Sequence, residues 1–165
     1  MTAAASMTLV KRIAKRLVRP FWREPDFYIG GRDNPYLLRW YLTERHPDRH
    51  KTYLHKFLRD DDDRALHDHP SDSVSIILRG GYLEHLPGGI VKRRYPGMIV
   101  FRRAEQAHRI ELFRDKNGKA IPAWTIFIFG PKVREWGFHC PRGWVHWRDF
   151  VSDVDSGNIG KGCEP

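Results

Sequence analysis

"DSVSIILRGGYLEHLPGGIVKRRYPGMIVFRRAEQAHRIELF", residues 72–113, breaks into short runs rich in β-branched and aromatic residues, with Gly and Pro turns between them. That texture reads as strands, at about 73–79, 81–86, 90–95, 98–103 and 107–113. It begins at Thr52 and continues past this stretch, adding strands at about 52–59, 65–69, 122–129 and 132–139. "LPGGI" (86–90) and "DKNGK" (115–119) are hairpin signals, and Asn117-Gly118 is the strongest of them. Many short strands with tight turns and no intervening helix point to an all-β sandwich or barrel. Several strands alternate polar and apolar residues, while "AWTIFIFG" (123–130) is apolar on both faces. A closed, double-layered barrel accounts for that mixture better than a single open sheet.

Outside this region the texture differs. Leu9, Val10, Ile13, Leu17 and Val18 recur at helical spacing with basic residues between them, and Pro20 ends the pattern. Residues 1–24 are therefore expected to form a basic amphipathic helix. Its readings are packing on the domain, contact with an anionic membrane, nucleic acid or a partner through residues 9–19, or an Arg-rich transit peptide. Residues 25–50 mix turn signals with a short predicted helix over Pro35–Leu42. The barrel domain is placed at 25–152 and a flexible C-terminal tail at 153–165.

A chain of 165 residues suits one domain with a full hydrophobic core. Six Trp, nine Phe and six Tyr argue for an aromatic-packed interior. No apolar run reaches the roughly 18–20 residues of a membrane span, and no secretory signal is evident. Cys140 and Cys163 are the only cysteines and are read as reduced, so a soluble, cytoplasmic protein is expected. Of the net charge of +9, Lys11, Arg12, Lys15, Arg16, Arg19 and Arg23 supply six, leaving the rest only mildly basic. A basic arm is thus a better inference than a basic surface.

"ALHDHPSD" (65–72) sets His67 and His69 two residues apart. On an extended strand those side chains share a face, roughly 6–7 Å apart at Cα, close enough for both imidazoles to reach one ion. In "QAHRIELF" (106–113), His108 shares its face with Ile110 and Leu112 and is expected to point inward. By itself an inward histidine reads as a hydrogen-bonded core residue.

"HDHP…LRGGYLEH" followed by "YPGMIVFRRAEQAH" resembles the two sequence motifs of the cupin superfamily, a small jelly-roll β-barrel. His67 and His69 match that family's first histidine pair, Gly80 or Gly81 its glycine, Pro96-Gly97 its turn and His108 its last histidine. The resemblance covers about residues 52–130. It implies an all-β, single-domain jelly roll with His67, His69 and His108 holding a divalent metal. The family's usual glutamate is replaced here by Ser73 and Val74, so Asp72 or Glu84 would have to supply any carboxylate ligand. A site of three histidines resembles the thiol-dioxygenase branch of the superfamily. Neutral ligands leave the full charge on the metal, which favours capture of an anionic substrate and O₂. That implies Fe(II), although imidazoles also take Zn, Ni, Mn and Cu. Cupins often pair, so a homodimer is implied as well.

Other residues are candidates for the same pocket. "TYLHKFLR" (52–59) puts Tyr53, His55, Phe57 and Arg59 on one strand face. His55 or Arg59 would meet a substrate carboxylate, unless this is an edge strand facing water. Tyr82 and Glu84 share a face and are candidates for proton donor and hydrogen-bond acceptor behind a ligand. Arg102 and Arg103 point opposite ways, so one of them faces inward, and Arg102 is taken as the substrate-binding candidate. "DDDD" (60–63) reads as a solvated loop. "EWGFHCPRGWVHW" (135–147) reads as a segment that buries Trp136, Trp144 and Trp147, with a His139-Cys140 metal or nucleophile site as the lesser reading. The expected function is an Fe(II)-dependent dioxygenase for a small polar or anionic molecule. Its alternatives are a non-catalytic metal or ligand sensor or store, and a nucleic-acid or membrane module.

Overall fold

The stretch 72–113 folds into five strands: β5 Ser73–Arg79, β6 Tyr82–Leu86, β7 Ile90–Arg94, β8 Ile99–Arg102 and β9 Arg109–Leu112. They are preceded by β1 Phe27–Ile29, β2 Leu37–Tyr41, β3 Lys51–Phe57 and β4 Leu66–His67. After them come β10 Ala123–Phe129, β11 Gly137–Cys140, β12 Gly143–His146 and one short helix, α1 Trp147–Phe150. The computed structural model describes residues 23–46, 48–61, 65–152 and 160–164. The helix expected over Leu9–Val18, and tail residues 153–159, lie outside the described residues.

One sheet runs β1-β2-β3-β10-β5-β8, and two three-stranded sheets run β12-β11-β4 and β7-β6-β9. The two small sheets meet at His67 and His108, whose backbones exchange both N–H···O bonds at 2.9 Å. The second layer thus has a histidine pair at its seam. No closed ring of strands is formed among the described residues; the expected barrel is two facing layers. Leu37, Phe57, Ile77, Val100 and Ala123 of the first layer meet Tyr82, Ile110 and Leu112 of the second. Burying a large apolar side chain such as Leu37 or Ile77 contributes about 1.5–3 kcal/mol.

The chain crosses between layers at Gly80-Gly81, where only glycine fits. Both have positive φ, and a Cβ on Gly80 would lie 2.4 Å from the Pro122 carbonyl oxygen. The "LPGGI" turn joins β6 to β7 with Leu86 opposite Ile90. "DKNGK" closes a hairpin in which Asp115 N–H donates to Lys119 O at 2.9 Å.

Four expectations are corrected. Residues Leu37–Tyr41 are a strand, since pairing along β3 and stacking of Trp40 on Trp124 (5.5 Å) outweigh the weak propensity of so short a helix. β3 is an interior strand between β2 and β10, so its inward face is not an edge in water. The last predicted strand starts only at Gly137, because Val133 and Arg134 both turn their N–H toward Pro70 O. Cys140 and Cys163 form a disulfide, with Cα atoms 5.4 Å apart. It pins the end of the chain to a second cluster of Ala65, Phe138 and Phe150, onto which Trp136, Val145 and Trp147 pack. The cysteines therefore lend no support to a reducing compartment.

Candidate metal centre and cavity

His67 and His108 face each other because they are ladder partners, while His69 N–H is held by Ala104 O at 2.9 Å. The three rings pack at centroid distances of 5.2, 4.9 and 5.1 Å. One ring nitrogen from each lies within 4.8 Å of the others. His69 Nε2 and His108 Nε2 are 2.8 Å apart. Two nitrogens on one ion, at bonds of about 2.1 Å and a right angle, would be about 3 Å apart, so the spacing of this pair fits a divalent metal. Burial pulls all three imidazoles toward the neutral form that binds metal, His108 to about 3, where Glu84 pulls the other way.

Behind the triad sits a buried charge network. Glu84 Oε1 is 3.2 Å from His108 Nδ1, off the best hydrogen-bond line but at ion-pair distance. Arg102 Nε and Arg94 Nε (2.7 Å) donate to the same carboxylate. Burial alone would raise the Glu84 pKa, yet His108 and the Arg102 guanidinium hold it well below the usual carboxylate range. Arg102 also donates to Ser75 Oγ at 2.9 Å and Tyr82 Oη at 3.3 Å. A carboxylate behind Nδ1 directs Nε2 to a metal. Asp61 stands similarly behind His67, with Oδ2 3.9 Å from Nδ1 while accepting the Ile110 N–H at 2.7 Å.

The triad opens into a cavity of about 580 Å³ between the layers, within the usual range for small-molecule sites. Aromatic rings wall it: Tyr53, Phe127, Phe129, Trp136 and Phe138. His55 and Arg39 line it too, with Arg39 Nε donating to His55 Nε2 at 2.9 Å. Burial, then the Arg39 charge, keeps His55 neutral.

Of the residues singled out in the sequence, the structure brings His67, His69, His108, His55, Tyr82 and Arg102 to the cavity. Glu84 lies behind His108 rather than among the converging ring nitrogens. Asp72 is exposed and accepts the Ala104 N–H at 2.8 Å, so neither carboxylate joins the triad. Arg59 is not on the cavity wall; it bonds Asn34 O at 3.1 Å. The aspartate run is not simply solvated, since Asp60 and Asp61 cap N–H groups of β9. Trp144 is 43% exposed rather than buried. Its indole N–H meets Asp68, which also holds Arg134, Gly137 N and His139. His139 is thus tied to Asp68 and Cys140 to the disulfide. Arg39, Arg45 and Lys51 were missed, although "LLRWY" alternates Leu37, Arg39 and Tyr41 against Leu38 and Trp40 with a strand's period of two.

The neutral histidines make stability depend on pH. His55, His67, His69 and His108 have depressed values in the folded state, while the unfolded chain binds protons below about 6.5. Stability is therefore lost as pH falls from about 6.5 toward the folded values. At pH 5 each ring that stays neutral costs about 2 kcal/mol. For a chain of this size, even one such ring should lower Tm by roughly 4–8 °C between pH 7.5 and 5. Differential scanning calorimetry of metal-stripped protein checks this, and a flat Tm would contradict it.

Comparison with known proteins locates the fold and little more. No protein-family model matches the chain, and no curated protein matches it. Among solved structures it is similar to the DMSP lyase DddQ of Ruegeria pomeroyi, with TM-score 0.50, 19% identity, 73% of this chain and 62% of that one. It is also similar to a protein with a double-stranded beta-helix domain from Klebsiella pneumoniae (TM-score 0.49, 18% identity, 67% and 90% covered). A third is a cupin superfamily protein of Desulfitobacterium hafniense (TM-score 0.46, 19% identity, 63% and 84% covered). No helix among the described residues is long and apolar enough to cross a membrane.

Proposed function

We propose that the chain is a metal-dependent, cupin-type enzyme, an Fe(II) oxygenase acting on a small anionic molecule bound in the cavity. The observation that carries this reading is the convergence of three imidazoles on the wall of an aromatic cavity, with no carboxylate joining them among the described residues. His67, His69 and His108 would hold the metal. When bound, Fe(II) supplies open positions for substrate and O₂ and the electrons for oxygen chemistry. The chain's own residues prepare that chemistry. Glu84 orients His108, and Arg102 keeps Glu84 ionised. Phe127, Phe129 and Phe138 pack beside the rings and give them an apolar surrounding, each lying next to one of them. The Tyr82 hydroxyl, held by Arg102 on the cavity lining, is the candidate proton donor.

A second reading, a non-catalytic metal and ligand binder, is favoured by the commitment of Glu84 to two arginines, which takes it out of proton transfer. The test begins with elemental analysis of the protein as purified. Anaerobic Fe(II) loading then precedes an oxygen-electrode screen of thiols, diketones and keto acids. Substrate-dependent O₂ uptake supports the oxygenase. Tight metal and ligand binding without turnover would leave the binder.

A further inference from the structure

We infer that Arg39 is the anion-binding group of the cavity, and that the natural ligand is a small organic anion with an apolar, flat body rather than a compact inorganic one. Taking the cavity as the substrate site rests on the reading above, but the residues concerned are on the opposite layer from two of the histidines. Arg39 sits on β2 directly across from His55 on β3. Its Nε is spent on His55 Nε2, and its guanidinium carbon lies 4.8 Å from the centre of the Tyr53 ring. Those two contacts hold the fork in place and leave both terminal nitrogens without a protein hydrogen bond among the described residues. No carboxylate among the described residues pairs with it. Arg102, another arginine of the cavity, is by contrast paired with Glu84.

A guanidinium removed from bulk water costs free energy unless an anion meets it, and its planar fork suits a carboxylate. Burial does pull Arg39 below the usual arginine value. Arg45, stacked over Tyr41 at 4.9 Å, and Lys51 add positive charge to the same wall. From Arg39 toward the triad the wall is a series of rings. His55 stacks on Phe127 at 5.1 Å, and Phe127 reaches His69 at 6.3 Å. A ligand spanning this path needs a charged end on Arg39 and an apolar body over Phe127. Its reacting end then faces the histidines. Phosphate or sulfate would satisfy the arginine and leave the ring-lined space unfilled.

The test is isothermal titration of the full-length protein, metal-stripped and again loaded with Zn(II), with benzoate, benzamide and sulfate as probes. Benzoate is expected to bind at least about tenfold more tightly than benzamide and than sulfate. Arg39→Gln should abolish that preference, and Arg39→Lys should keep part of it. Removing a charge elsewhere, with Arg103→Gln, should leave the preference unchanged. Equal binding of benzoate and benzamide by the unmodified protein overturns the proposal without any variant having to fold. Sulfate binding as tight as benzoate overturns the apolar-body requirement. Preference retained in folded Arg39→Gln assigns the anion elsewhere and overturns it as well. Metal-stripped protein keeps the two readings separate: a benzoate preference in a chain that never retains metal removes the enzyme proposal and leaves the anion site standing. Metal retention without the preference does the reverse.

Discussion

Replacing Glu84 with alanine is expected to cost about 3–5 kcal/mol of stability, the penalty for leaving a buried cation without its partner. Arg102 is 4% exposed and Glu84 1%, and the guanidinium would keep only the Ser75 and Tyr82 oxygens. In a chain of this size that is a fall in Tm on the order of 10 °C. The same change should weaken metal binding about 10- to 100-fold, because no carboxylate would then stand behind His108 Nδ1 to orient the ring. Glu84→Gln keeps the shape and loses the charge, so it should fall between wild type and Glu84→Ala in both measurements. Pairing Glu84→Gln with Arg102→Met removes both charges and should recover most of the lost Tm. A Glu84→Ala protein melting within about 2 °C of wild type would mean that the network contributes little. Calorimetry and a competition titration with a metal chelator read the two effects separately.

His108→Ala is expected to lower metal affinity by more than the roughly 100-fold that loss of an outer hydrogen-bond partner causes, because it deletes one of the three proposed ligands. Elemental analysis after gel filtration should find the variant near empty where wild type retains metal. Its effect on folding should be of opposite kinds at different pH. The ring is costly to bury when protons are plentiful, so at pH 5 its removal relieves part of the acid penalty. At pH 8 only the cavity left behind counts, and the variant should be less stable. Full metal retention by His108→Ala would remove this histidine from the centre. Its place at the seam between the two small sheets would then be purely structural, since the backbone bonds to His67 do not need the side chain.

The strand pattern was legible because alternation and turn residues are local signals. Ser73–Arg79, Tyr82–Leu86 and Ala123–Phe129 follow from period-two side-chain placement and from Gly80-Gly81, which no other residue can replace. His67, His69 and His108 could be picked out for the same reason, with the order of two short motifs supplying what spacing alone did not. Tertiary structure decided the rest. Whether Leu37–Tyr41 is helix or strand depended on finding β3 beside it. Whether Cys140 is a thiol depended on Cys163 being brought within disulfide reach. Arg59 and Arg39 are equally basic in the sequence, and only the pairing of β2 with β3 turns Arg39 into the cavity and leaves Arg59 at Asn34. Likewise Glu84 could have been a metal ligand or a support for one until β6 was laid beside β9, which set its carboxylate behind His108. Local periodicity tells which face a side chain takes; what stands across from that face is a matter of long-range pairing, and that is where the charges in this protein acquire their roles.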